Sequence, residues 1–358
     1  MCASSSRTSV DAATALDDPS TLNDGSARIQ RAMYGFMASQ LLYTAIDLNV
    51  FGAIALGHGT LEQLLQQLPV SRRGLSIFLD GLVGAGFLNK QGSVYTLPED
   101  VAHYLVPESS NYIGGMVEHC KQLYETWSLL TDVVRSGQPA GGASVLQEVE
   151  TQFAVLVKGL YVSNRQAARR LTEQLLMGPN ARFKATDAFR VLDVAGGSGV
   201  WSLTLLDQAI EAQAHILDFP TVLEVAETYV GEHGHGERVT FLPGDLDVID
   251  LPQNAYHVAI LGHICHALGA EATERLLIKL RKTLHPGGTL VIVDFVADNN
   301  REQAGWPLMF GVNMLVGTPE GNVFTEAQYQ AWLLQAGFVQ VTQLELEPNV
   351  SALIAHCP

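Results

Sequence analysis

The sequence predicts an α/β protein of two domains, in which a mainly helical domain precedes a doubly wound parallel sheet. The chain has 358 residues, more than the ~150 of a typical domain, and 47% of them are hydrophobic, enough for a large core. Apolar residues recur at helical spacing to about residue 176, and short β-rich runs then alternate with helical segments. We therefore expect domains over residues 27–176 and 177–358, preceded by a disordered tail at residues 1–26.

The first domain has the element order of a winged helix. Helical spacing runs through the segments RAMYGFMASQLLYTAIDLNVF and TLEQLLQQL, and a capped helix begins near Ser71. A small hairpin that turns at Lys90–Gly92 follows this helix. Longer helices on either side of the Gly/Pro-rich segment 137–144 complete the domain and end near Leu175.

In the second domain, short hydrophobic runs predict strands. These strands lie at Arg190–Val194, Ala214–Leu217, Arg238–Leu242, Tyr256–Leu261, Gly288–Val296, about 338–346 and about 350–356. Helices are expected at about 200–212, 221–231, 270–284 and 325–336. The last helix has a capping box of Thr325 and Gln328. This alternation is typical of a doubly wound sheet with crossover helices.

Charge and cysteine content exclude several classes of function. The 37 acidic residues outnumber the 21 basic ones, and only Arg72 and Arg73 lie near a winged-helix recognition position, so no nucleic-acid partner is expected. No apolar run reaches the ~20 residues of a membrane span, and residues 1–26 lack the apolar core of a signal peptide. Four cysteines without a CxxC motif indicate a reducing compartment. We therefore expect a cytoplasmic protein without a membrane partner.

The clearest functional signal is the segment FRVLDVAGGSGVW, in which a strand ends in Asp193 and a glycine-rich turn leads into a helix. The turn contains Gly196, Gly197 and Gly199. Small residues there let backbone amides approach a ligand closely. The next strand ends in Asp218, suited to two ribose hydroxyls, and the third is followed by Asp245, suited to an adenine amine. Asp193 lies where it could meet a cationic amino group instead of a pyrophosphate. The three acids therefore fit an amino acid, a ribose and an adenine, and this combination without a phosphate site describes S-adenosylmethionine.

These motifs occur together in one known family. The chain resembles the two-domain small-molecule O-methyltransferases, which include plant caffeate-type, acetylserotonin-type and many bacterial tailoring enzymes. The segments that carry the resemblance are MASQLLYTAIDLNVF, LDVAGGSG, LDFPTVL, GDLD, ICHALGAE, LHPGGTLVIVDF and FTEAQYQAWLLQAGF. The resemblance implies a Rossmann-like methyltransferase domain that converts S-adenosylmethionine to S-adenosylhomocysteine. It also implies a homodimer through the N-terminal domain, with residues around Tyr34–Met37 entering the partner's pocket.

The same resemblance implies a set of cofactor-binding residues. They are Asp193, Gly196, Gly197, Gly199, Asp218, Phe219, Asp245 and Leu246. Two positions depart from the family pattern. The first glycine of its DxGxGxG turn is Ala195 here, and a family lysine near the fourth strand falls on Gly262, so one cofactor contact could be absent.

The segment ICHALGAE places His266 at the family's general base, which takes the acceptor's proton during methyl transfer. The family orients this histidine with two acids, and the alignment puts Phe295 and Val323 at their positions. Asp294 is expected to point to the opposite face of its strand and not to replace them. His266 would then be a weaker, less oriented base in a more apolar pocket.

The segment AGWPLMFGVNMLVG lies where the family builds its acceptor wall, which suggests a hydrophobic or aromatic substrate. The candidate substrate-binding residues are Trp306, Met309, Phe310, Asn313, Met314 and, beside the base, His263.

Three functions remain open at this stage. The first is O-methylation of a small hydrophobic or aromatic metabolite with His266 as base. The second is C-methylation of an activated carbon, such as one next to a keto acid, in which His263 and His266 could bind a metal, although we expect no metal. The third is a protein that binds the cofactor and catalyses a non-methylating reaction, or only binds a ligand.

Overall fold

A computed structural model describes residues 25–140, 149–179, 181–303 and 305–358. Its contacts divide the chain into two compact units after Glu118. Residues 1–24 of the expected tail and residues 141–144 of the Gly/Pro-rich segment lie outside the described residues. The change in sequence pattern near residue 177 falls inside the second unit, because the long helix that ends there packs against the sheet.

The first unit is helical with one small hairpin. Its helices are α1 (Gly25–Asp47), α2 (Val50–Ala55), α3 (Leu61–Gln67), α4 (Arg72–Gly84) and α5 (Glu99–Leu105), and its strands are β1 (Asn89–Gln91) and β2 (Val94–Thr96). The side chains of Thr60 and Ser71 accept from main-chain N–H groups in the first turns of α3 and α4. The expected helix, helix, hairpin order is confirmed, although β1 continues to Gln91 and the turn therefore begins at Gly92.

The second unit alternates strands and helices. The helix α6 (Gly114–Trp127) crosses the division between the units, and the remaining elements follow in chain order. They are α7 (Leu130–Ser136), α8 (Val149–Met177), β3 (Arg190–Val194), α9 (Val200–Gln208), β4 (Gln213–Asp218), α10 (Pro220–His233), β5 (Val239–Pro243), β6 (Tyr256–Gly262), α11 (Cys265–Leu268), α12 (Ala270–Thr283), β7 (Leu284–Asp294), β8 (Val296–Ala297), α13 (Trp306–Gly317), β9 (Phe324–Thr325), α14 (Glu326–Gln335), β10 (Val339–Glu347) and β11 (Val350–His356).

The main sheet has seven strands in the order β10-β11-β7-β6-β3-β4-β5. The strands β3 to β7 are parallel, and β11 pairs antiparallel with both β7 and β10. The order in which the chain adds strands reverses at β3: β4 and β5 lie on one side of it, and β6 and β7 lie on the other. In open α/β sheets, ligands bind outside the carboxyl ends of the strands at such a switch point. The ends of β3, β4, β6 and β7 therefore locate the candidate site.

Helices cover both faces of this sheet. Val291 and Val293 of β7 pack in one apolar layer with α8 and α9, whereas Leu290 and Ile292 pack in the other with α12 and α14. Because side chains alternate along a strand, Asp294 continues the second set.

The predicted elements of the sheet domain agree with the structure, with differences of a few residues at their ends. The strand β7 begins earlier than predicted and ends at Asp294 instead of Val296. The capping box of Thr325 and Gln328 is confirmed. Within the described ranges, no helix has both the length and the apolar composition that crossing a membrane requires.

Candidate active site

The turn between β3 and α9 requires small residues for two reasons. Its φ angles are positive at Ala195 (51°), Gly197 (58°) and Gly199 (75°), a conformation that favours glycine. A Cβ added at Gly196 would lie 2.7 Å from Cγ2 of Ile216, and one added at Gly199 would lie 2.8 Å from Cδ1 of the same side chain. The turn is therefore packed closely on β4, and Ala195 adopts the left-handed conformation in place of the family's first glycine.

Asp193 is completely buried where β3 ends. Ser202 of α9 donates to its Oδ2 from the main-chain N–H at 3.1 Å and from the hydroxyl at 2.6 Å. Its Oδ1 is buried and has no hydrogen-bond partner among the described residues. Burial raises the pKa of Asp193 to about 7, against the lowering effect of the bonds from Ser202. A buried acid with one unused oxygen is suited to a cationic ligand group, which would favour its ionised form.

Asp218 joins the end of β4 to the glycine turn. The N–H of Gly197 donates to its Oδ2 and the N–H of Phe219 to its Oδ1, both at 2.8 Å. Burial raises the pKa of Asp218, and these two bonds oppose the rise. Each oxygen keeps a lone pair for a further donor, such as a ribose hydroxyl. Phe219 precedes α10 and leaves its side chain exposed beside this carboxylate.

The loop after β5 presents Asp245 and Leu246. The Oδ1 atom of Asp245 accepts from the N–H of Asp247 at 2.9 Å, which closes a tight turn. Lys279 of α12 donates to the carbonyl of Leu246 at 2.7 Å. The two candidate residues therefore lie on a backbone that is fixed from within the loop and from a neighbouring helix.

Gly262 ends β6 at the position of the family's lysine. A Cβ added there would lie 2.1 Å from Nε1 of Trp201 in the first turn of α9. The indole of Trp201 is buried and occupies the space that a side chain at position 262 would need. Gly262 is thus required by its packing against Trp201, a contact that no local sequence pattern indicates.

His266 lies in α11, next to the end of β7, and contacts an acid directly. Its Nδ1 lies 2.6 Å from Oδ1 of Asp294, and its main-chain N–H donates to Oδ2 at 3.1 Å. The prediction that Asp294 points away from His266 is therefore wrong. Asp294 follows Leu290 and Ile292 in the layer of α12, and Cys265 of α11 belongs to this same layer. Asp294 therefore occupies the place of an orienting acid beside His266, one residue before the position that the family resemblance indicates.

The electrostatics of this pair determine which nitrogen of His266 is available. Burial alone would raise the pKa of Asp294, but the charges and contacts of His266 and His263 hold it well below its usual range. The N–H of Phe295 also donates to Oδ1 at 2.8 Å. An ionised Asp294 keeps a proton on Nδ1 of His266, from which we assign the lone pair to Nε2. Nε2 forms no hydrogen bond with any residue that the structure describes.

The two positions expected to carry the family's acids have apolar side chains. The ring centroid of Phe295 lies 4.8 Å from that of His263 and 6.0 Å from that of His266. Val323 is buried, and its carbonyl accepts from Arg301 at 2.7 Å. Within the described part of the chain, Asp294 is the one carboxylate bonded to His266.

The predicted acceptor wall lies on α13. The ring centroid of Phe310 lies 4.9 Å from that of His266, with the rings edge to face, and 4.6 Å from that of Phe295. Trp306 lies 5.8 Å from Phe310 and is exposed, as is Met309. The rings of Phe295 and Phe310 therefore face the base on this side, and Trp306 packs against both of them.

Two other wall candidates have structural contacts. The Oδ1 atom of Asn313 accepts from Nε1 of Trp127 at 2.9 Å, and Met314 is buried. The sequence offers no signal for the contact between Trp127 and Asn313, because the two residues are 186 positions apart.

His263 has an unusual backbone and unused ring nitrogens. Its φ is 57°, and its N–H donates to the carbonyl of Val293 at 2.8 Å. Both ring nitrogens are buried without a hydrogen-bond partner in the described ranges, and Nδ1 lies 3.8 Å from Asp294 Oδ1. His263, His266 and Asp294 offer atoms within 4.8 Å of one another, a spacing that a metal ion could bridge. The direct bond between His266 and Asp294 is instead the geometry of an oriented base.

Comparison with known proteins finds matches along most of the chain. Residues 127–339 match the O-methyltransferase domain, and residues 30–107 match the O-methyltransferase dimerisation domain. The chain is 26% identical to the tetracenomycin polyketide synthesis 8-O-methyl transferase TcmO of Streptomyces glaucescens, over 90% of this chain and 94% of that protein. It is 28% identical to acetylserotonin O-methyltransferase of Mus musculus, over 85% of this chain and 81% of that protein.

Solved structures show the same fold. Human N-acetylserotonin methyltransferase in complex with S-adenosylmethionine aligns with a TM-score of 0.80 at 22% identity, covering 94% of this chain and 98% of that one. An O-methyltransferase family protein from Burkholderia thailandensis aligns with a TM-score of 0.81 at 22% identity, covering 93% and 98%. The predicted fold class is confirmed. Because the domain match spans more than half of the chain, this protein belongs to the O-methyltransferase family and is a methyltransferase that uses S-adenosylmethionine.

Proposed function

We propose that this enzyme methylates an oxygen atom of a small aromatic metabolite and that His266 is the general base. The observation that carries the proposal is the 2.6 Å contact between His266 Nδ1 and buried Asp294, which leaves Nε2 as a proton acceptor next to the aromatic rings of Phe295 and Phe310. Relatives named as an 8-O-methyl transferase of tetracenomycin polyketide synthesis and as acetylserotonin O-methyltransferase support an aromatic acceptor.

The residues at the switch point fit S-adenosylmethionine. The unpartnered Oδ1 of Asp193 is suited to its amino group, and Asp218 retains lone pairs for its ribose hydroxyls. Gly196, Gly197 and Gly199 keep the turn free of side chains, and we assign the adenine to Phe219, Asp245 and Leu246. When bound, this cofactor supplies an electrophilic methyl group and a neutral thioether leaving group.

The chain's own residues then have two tasks. Nε2 of His266 accepts the proton of the acceptor hydroxyl, and Asp294 stabilises the imidazolium that forms. Trp306, Met309 and Phe310 bind the flat apolar body of the acceptor. This binding holds the acceptor oxygen in line with the methyl group to be transferred. We assign Asn313, Met314 and His263 to the same pocket, in which Trp127 already fixes Asn313 and Met314 is buried.

We further propose that the enzyme is a homodimer formed through residues 27–176, with the methyltransferase domain over 177–358. The match of residues 30–107 to a dimerisation domain supports this. Large apolar side chains on α1 are exposed in the single chain, as a buried subunit interface would require. They are Ile29, Met33, Tyr34, Phe36 and Met37.

The test is methyl transfer from labelled S-adenosylmethionine to a panel of hydroxynaphthoates and hydroxyindoles and to an extract of the source cells. The variants are His266→Ala and Asp294→Asn, with the exposed His103→Ala as the matched control. A base of this kind contributes about 10²- to 10⁴-fold, so His266→Ala should lose that activity and keep cofactor affinity. An unchanged rate in His266→Ala would contradict the role of the base. Label on carbon together with a bound metal would instead support C-methylation through His263 and His266.

A further inference from the structure

Asp294 has a hydrogen-bond partner that the reaction outlined above does not use. The hydroxyl of Tyr329, on α14, donates to Asp294 Oδ2 at 2.9 Å. Tyr329 and Asp294 are both completely buried. Asp294 thus receives His266 Nδ1 on one oxygen and the phenol of Tyr329 on the other.

The ring of Tyr329 is held by packing that does not involve the hydroxyl. Phe324 and Trp332 contact it edge to face, with centroids 5.8 Å and 5.5 Å away. A phenylalanine would satisfy these contacts equally well, so apolar packing does not explain the hydroxyl. Burial raises the pKa of Tyr329 well above its usual value, which keeps the phenol protonated and able to donate.

We propose that Tyr329 is a positioning residue for methyl transfer, whose hydroxyl fixes the Asp294 carboxylate and thereby tunes how strongly Asp294 holds the imidazole of His266. This proposal rests on the role of His266 proposed above. A hydrogen bond to Oδ2 spreads the carboxylate charge, so Oδ1 attracts the imidazolium less strongly. Without the phenol, Asp294 Oδ1 should therefore hold the imidazolium of His266 more strongly.

Few other groups can act on this carboxylate. Cys265 of α11 is buried, and burial raises the pKa of its thiol well above the usual value, so the thiol is neutral. His263 approaches Asp294 from the loop after β6, with its Nδ1 at 3.8 Å. From β11, the register partner of Asp294 is Ser351, which is uncharged. Val323 occupies the position at which a second acid was expected. Among the described residues, Tyr329 and main-chain N–H groups therefore hold Asp294 in place of a second carboxylate.

The experiment compares Tyr329→Phe with Tyr256→Phe in the full-length enzyme. Tyr256 is a matched control because it is also buried in this unit and its hydroxyl lies 2.7 Å from Nδ1 of another histidine, His215. The first measurement is kcat/KM against pH. The second is the imidazole titration of His266 by NMR on histidine-labelled protein, assigned with His266→Gln, and it needs no turnover.

In Tyr329→Phe, we expect the acid limb of kcat/KM and the His266 titration to move to higher pH by about half a unit to one unit. At a pH below the midpoints of both the wild type and the variant, activity should fall about three- to tenfold. At high pH, activity should return to within about twofold of the wild type. Tyr256→Phe should leave both curves in place. Unmoved curves in Tyr329→Phe, or an equal loss at every pH, would overturn the proposal. An active His266→Ala enzyme would instead refute the base, while the NMR titration would still decide the effect of Tyr329.

Discussion

Replacing the buried acid of the glycine turn, Asp193→Asn, should stabilise the cofactor-free enzyme and weaken cofactor binding. The pKa of Asp193 is raised to about 7, roughly three units above the ~3.9 of an ordinary aspartate. A raised pKa means that the folded state binds this proton more tightly than the unfolded chain does. The contribution of Asp193 therefore lowers the free energy of unfolding as the pH rises from about 4 to about 7, by at most about 4 kcal/mol.

Asparagine removes this dependence and still offers an oxygen to Ser202, but its amide replaces the unpartnered Oδ1. An unsatisfied buried amide costs about 2 kcal/mol, which leaves a net gain of about 2 kcal/mol at pH 8. At about 2–4 °C per kcal/mol for a unit of this size, Tm should rise by about 4–8 °C. The gain should shrink as the pH falls below 7, because the wild-type acid then becomes neutral.

The assay is calorimetry of the cofactor-free protein at several pH values between 5 and 8, with the exposed Asp132→Asn as control. Titration calorimetry with S-adenosylhomocysteine measures the second effect, in which the variant loses at least tenfold in affinity because the amino group has lost its carboxylate. The reasoning is refuted if Asp193→Asn is no more stable at pH 8 than the wild type, or if its advantage is the same at every pH. Unchanged affinity would refute the contact with the amino group.

Two further substitutions test the packing and the pH dependence. Gly262→Ala places a methyl group 2.1 Å from Trp201 Nε1, so overpacking should lower the free energy of unfolding by about 1–3 kcal/mol in calorimetry. Adding Trp201→Leu should recover part of this loss. An unchanged stability in Gly262→Ala would contradict the packing of Trp201 on Gly262. Burial lowers the pKa of His356 to about 4, so stability falls as the pH drops below about 6.5, where the unfolded chain gains the proton first. His356→Gln should flatten that fall by at most about 3 kcal/mol between pH 6.5 and 4, and an identical slope in both proteins would count against it.

Much of the fold could be predicted because it depends on local patterns. Buried parallel strands are continuous apolar runs, and β3 was predicted with its observed bounds. The capping box at Thr325 is likewise a short-range signal. In contrast, the fit of Trp201 against Gly262 and the bond between Trp127 and Asn313 join residues distant in sequence, and no local pattern encodes them.

The wrong prediction for Asp294 has a specific physical origin that bears on the chemistry. Because side chains alternate across a strand, placing the orienting acid one residue late, at Phe295, moved it to the wrong face and made the base seem to lack a partner. The bond from His266 to Asp294 removes that objection. A lone, poorly oriented histidine had left metal-assisted and non-methylating chemistry open. An imidazole held by a buried carboxylate, which is itself held by Tyr329, can accept a hydroxyl proton without a metal, and it therefore favours O-methylation.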